Sequence, residues 1–68
     1  MKIKVKYQRF KGPIEEREEP SLKDAIFSCI DDIEFNESYP IEILCDDVVI
    51  LTNQEIREIL SFILKIYG

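Results

Sequence analysis

The chain has 68 residues, 46% of them hydrophobic and 34% charged, with nine Lys plus Arg against fourteen Asp plus Glu and no His. That length suits one small domain spanning 1–68 and argues against a multidomain enzyme. The longest apolar runs, Val48 to Leu51 and Phe62 to Leu64, fall far short of the roughly 20 residues of a membrane-spanning helix.

The opening segment, Met1 to Lys6, alternates charge with hydrophobe and lacks the basic patch and apolar run of a secretory signal, so the expected location is cytoplasmic. Two cysteines, Cys29 and Cys45, are too few for a secreted disulfide framework and are expected to be reduced and buried. Without His they cannot supply the four ligands of a structural zinc site, and no metal or cofactor is expected. Phe, Tyr, Met, Ile, Asn and Lys total 28 residues against nine of Gly, Ala, Arg and Pro. This is the bias of an AT-rich genome, so the expected source is a low-GC bacterium or its phage.

In chain order, Lys2 to Phe10 places Ile3, Val5 and Tyr7 on one side and Lys2, Lys4, Lys6 and Gln8 on the other. Period two predicts a half-buried strand. Gly12-Pro13 ends it, and the stretch to Pro20, with Glu15, Glu16, Glu18 and Glu19, is expected to be a flexible acidic loop over 12–20. Ser21 followed by Asp24 makes a helix start, and Leu22, Ala25, Ile26, Cys29, Ile30 and Ile33 fall on one helical stripe ending near Ile33 or Glu34. Turn formers from Asn36 to Pro40 follow.

Ile41 to Leu44 and Val48 to Leu51 predict a hairpin closed at Asp46-Asp47. With a two-residue turn, Cys45 faces Val48, Ile43 faces Ile50 and Ile41 faces Thr52 on the inner side. Glu42, Leu44, Val49 and Leu51 then lie on the outer side. Thr52 and Glu55 form a second capping box, and Ile56, Ile59, Leu60, Ile63 and Tyr67 form the stripe of a helix running almost to the end.

The expected fold is α+β: a β-α-β-β-α two-layer sandwich with a three-stranded sheet and both helices on one face. The second predicted strand is at one edge, the third is central and the Lys-bearing first is at the other edge, giving order 2-3-1 with a right-handed crossover.

Two apolar surfaces exceed what that fold buries. Leu44, Val49 and Leu51 are expected on the outer sheet face with nothing to cover them. The arc that includes Phe62, Leu64 and Ile66 makes the last helix about twice as wide in hydrophobic surface as a one-sided stripe. These six residues are the candidate protein-interaction surface, and self-association would give so small a domain the buried area it lacks.

Charge is uneven. Met1 to Lys11 holds Lys2, Lys4, Lys6, Arg9 and Lys11 without an acid, so the remainder carries −10. Lysines on one strand face recur about every 7 Å, near the spacing of phosphates, which makes these five a nucleic-acid site in a secondary interpretation. Conversely, Glu15, Glu16, Glu18 and Glu19 with Asp24, Asp31 and Asp32 form an acidic set that a nucleic-acid mimic would need. A solvated acidic face is the simpler account.

The sequence contains no His, no Gly-rich phosphate loop and no nucleophile elbow, so no catalytic residue is expected. The expected function is that of a small non-catalytic regulatory domain, bacterial or phage, that binds another protein and forms a homodimer.

Overall fold

The alternating segment forms the strand β1 (Ile3–Arg9), with Ile3, Val5 and Tyr7 buried, in a computed structural model that describes residues 1–35 and 37–67. A turn follows in which the Gly12 amide donates to the Arg9 carbonyl at 2.9 Å, with Lys11 at φ 58°. The chain then returns as β2 (Ile14–Glu19), antiparallel to β1. The acidic segment is therefore a fourth strand, where the sequence predicts a loop. Glutamate disfavours strands on its own, but complementary charge offsets that preference here. Lys6 lies opposite Glu16 and Lys4 opposite Glu18, and the Lys2 ammonium reaches Glu18 at 3.4 Å.

Ser21 caps α1 (Leu22–Glu34), its hydroxyl oxygen accepting from the Asp24 amide. Of the turn formers expected from Asn36 to Pro40, Asn36 lies outside the described residues, and Ser38 to Pro40 instead begin a strand in which Pro40 is buried. β3 (Ser38–Cys45) and β4 (Val48–Thr52) make the expected hairpin. Its turn has Asp46 at φ 49° and Asp47 at φ 67°, the left-handed pair of a type I′ turn. Aspartate tolerates that region better than most residues. The Asp46 carboxylate also accepts from the Lys2 amide at 2.8 Å, which ties the turn to the start of β1. Thr52 and Glu55 then form the second capping box, with bonds of 3.0 and 3.3 Å, at the start of α2 (Asn53–Tyr67).

The sheet order is β2-β1-β3-β4, antiparallel throughout. The Lys-bearing strand is central instead of marginal, and β4, expected in the centre, is an edge. Alternation reports that a strand has one buried and one solvated face, and an antiparallel sheet provides this at any position. It does not report which strands are neighbours. Both helices cover the face that bears Ile3, Val5, Tyr7 and Ile43. Ala25 and Cys29 from α1, with Ile56 and Leu60 from α2, complete the core.

Two irregularities shift the register. One falls in β3 at Ile41, so Tyr7 faces Pro40 while Lys6 still faces Glu42. The other falls in β4 at Ile50, so Val49 faces Leu44 but Leu51 faces Ile43. An extra residue reverses the alternation beyond it. Leu51 therefore packs against the core instead of lying on the outer face.

Candidate protein-interaction surface

The six candidate interface residues occupy four separate places. On the outer sheet face Leu44 is half-buried beside Lys4 and only Val49 is exposed, so the patch expected there shrinks once Leu51 turns inward. On α2, Phe62, Leu64 and Ile66 are all exposed. At 100° per residue Leu64 lies about 160° from Phe62, on the flank shared with Arg57 and Ser61. Phe62 and Ile66 share the opposite flank with Ile59 and Ile63. The side chain of Tyr67, placed on the inner stripe by the sequence, lies outside the described residues.

The first helix is turned relative to its predicted stripe. Ala25 and Cys29 are buried as expected, but so is Asp32, while Leu22 and Ile33 are exposed. The cause lies in β2, whose inward residues are Glu15, Arg17 and Glu19, opposite Tyr7, Val5 and Ile3. The Arg17 guanidinium stands 4.7 Å from the Tyr7 ring centre. It donates to Asp32 at 2.6 Å, to Ser28 at 2.5 Å and to Glu19 at 3.0 Å. A buried carboxylate needs such a partner, so the helix presents Asp32 and Ser28 to the sheet. Its apolar flank, Leu22, Ile26, Ile30 and Ile33, is rolled away from β2.

Between the helices lies a groove of about 390 Å³, lined by Leu22, Lys23, Ile26 and Phe27 from α1 and by Ile59 and Ile63 from α2. Phe27 is 49% exposed, and Phe62 and Ile66, on the adjoining flank of α2, are 64% and 59% exposed. Sequence reasoning omitted Leu22, Ile26 and Phe27 from the surface. Asp32, three residues after Cys29, marked the inward face, but the carboxylate reads as a solvent residue until its arginine is known.

The basic segment is largely neutralised. Lys2 pairs with Glu18 at 3.4 Å, Lys4 with Asp47 at 3.8 Å, Lys6 with Glu42 at 3.4 Å and Arg9 with Glu15 at 2.6 Å. Lys11 has no ion pair among the described residues, and its ammonium lies 5.7 Å from the Phe10 ring centre. With Gln8, Ser38 and Tyr39 these tip residues border an open cleft of about 660 Å³. The acidic set is also largely engaged internally, since Glu15, Glu18, Glu19 and Asp32 are the partners of Arg9, Lys2 and Arg17.

Both cysteines are free thiols. Cys29 is buried, whereas Cys45, expected to be buried, is only half-buried at the end of β3. Burial pushes the Cys29 thiol up to about 11, with Arg17 opposing the rise and Asp32 and Glu19 adding to it. A thiol whose folded value is raised stabilises the fold fully below its unfolded value, near 9.0. That contribution is lost as pH rises through the folded value. Urea unfolding should therefore show stability falling between pH 9 and 11 by on the order of 2 kcal/mol, a slope that Cys29→Ala removes. An unchanged slope in that variant would reject the assignment.

Among the described residues no group of three or more His, Cys, Asp or Glu side chains is placed to hold a metal ion, and no helix is long and apolar enough to cross a membrane. Compared with known proteins, the chain matches no family model, no curated protein and no solved structure.

Proposed function

We propose that the chain is a non-catalytic interaction domain, a regulator or accessory protein that acts by binding another protein through its helix layer. The observation that supports this most is the groove between α1 and α2, with Phe27, Phe62 and Ile66 exposed around it. Large apolar side chains gathered on one face are the usual mark of an interaction surface. The nucleic-acid alternative draws less support, because acids beside Lys2, Lys4, Lys6 and Arg9 weaken the field a phosphate backbone would meet.

Affinity capture from an extract of the cell that makes the protein, compared across variants, tests this. A protein retained by the native chain and by Lys4→Ala/Lys6→Ala, but lost with Phe62→Asp, is the expected result, with circular dichroism confirming that each variant folds. Retention of nucleic acid that the lysine variant abolishes would reverse the choice.

A further inference from the structure

We propose that the groove takes an amphipathic helix whose apolar stripe is flanked by lysine or arginine, an inference that rests on the helix layer being the interaction surface. Backbone chemistry selects a helix. The groove walls are side chains of two helices whose own amides and carbonyls are internally bonded, so they offer few donors or acceptors to a bound chain. An extended peptide would lay unsatisfied amides and carbonyls against Leu22, Ile26, Ile59 and Ile63. A helix satisfies its own and meets the walls with side chains spaced i, i+3, i+4 and i+7.

Charge selects a basic helix. Asp31 and Glu34 follow Phe27 and Ile30 by one helical turn on α1, and Glu55 and Glu58 precede Ile59 and Phe62 by one turn on α2; all four acids are exposed. None has an ion-pair partner among the described residues. The exposed cations nearby are Lys23, at the groove wall, Lys65, and Arg57, which lies on the opposite flank of α2 with Leu64. The whole chain carries −5, so its field attracts a basic partner and repels a second copy of itself. This choice of occupant differs from the homodimer expected from apolar surface alone.

The test titrates the isotope-labelled 68-residue chain with three synthetic peptides of about 18 residues. One is an amphipathic Leu/Lys helix, one its Leu/Glu counterpart, and one a scrambled Leu/Lys sequence without a continuous stripe. The Leu/Lys helix should shift the amide resonances of Leu22, Ile26, Phe27, Ile59 and Ile63 and bind at least about tenfold more tightly than either control. Its affinity should fall about tenfold from about 50 to about 500 mM salt. Phe27→Asp should remove binding. Glu34→Lys/Glu58→Lys, at two exposed positions away from the core, should weaken the Leu/Lys peptide and favour the Leu/Glu one.

Equal binding of the scrambled or Leu/Glu peptide would overturn the proposed partner. So would concentration-dependent shifts at the groove without any peptide, which would identify a second copy as the occupant and leave the interaction surface intact. Absence of binding by every peptide, with no self-association, would overturn the partner and remove the groove as the surface as well.

Discussion

Replacing Arg17 with alanine should lower the unfolding free energy by about 3 kcal/mol, a large part of what a domain of this size has. Its partner Asp32 is only 8% exposed, and the guanidinium supplies the 2.6 Å ion pair that neutralises it. Burial works against charge on Arg17, and the hydrogen bonds and charges of Asp32 and then Glu19 outweigh it, so the group stays protonated. Removing one member of a buried pair strands the other, which costs about 3 to 5 kcal/mol when both are fully buried. Arg17 keeps a quarter of its side chain in solvent, which places the expectation at the lower end. Asp32→Ala should cost less, because Arg17 retains Glu19 and can turn to water. The double variant should cost less than the two single losses together, as groups in one network couple. Arg17→Lys should not restore the fold, since a single ammonium cannot reproduce the fork toward Glu19, Ser28 and Asp32. Urea unfolding of the four variants measures this, and additive losses would contradict a coupled cluster.

The second large effect lies at the bulge in β4. Leu51→Asp should destabilise the fold by about 2 to 3 kcal/mol, combining lost apolar burial with a carboxylate placed against the core. Val49→Asp, two residues earlier and exposed on the other face, should cost under about 0.5 kcal/mol. A regular hairpin without the extra residue at Ile50 predicts the opposite ranking, because every side chain beyond that point changes face. Thermal or urea unfolding of the two variants side by side decides between the two registers.

Local chemistry was legible wherever its partner lies within a few residues. Both capping boxes, the two-residue turn at Asp46-Asp47, the ends of α1 and the inward faces of β1 and of β3 at Ile43 follow from spacing of two, three or four residues. Phe62 and Ile66 were legible as surplus surface on the same grounds, because α2 is wider in hydrophobic arc than any one-sided contact needs. The strand β2 was half-legible. Its glutamates follow the β1 lysines across a Gly-Pro break, which is the charge pattern of a hairpin, but neither its composition nor an apolar alternation marks it as a strand.

The amino-acid sequence by itself therefore determined the α+β class, both helices, the β3–β4 turn and most of the core, because each depends on periodicity or on contacts a few residues away. Only the tertiary structure decided that β1 is central, that β2 pairs with it, that Leu51 faces inward and that α1 is turned to meet Arg17. Those depend on strand neighbours, on single extra residues that reverse a face, and on an ion pair between residues 15 apart. The groove between the helices belongs to this second group. A charged partner on β2 holds the polar side of α1 inward, and Leu22, Ile26 and Phe27 line an opening against a helix distant in the chain, which no local pattern encodes.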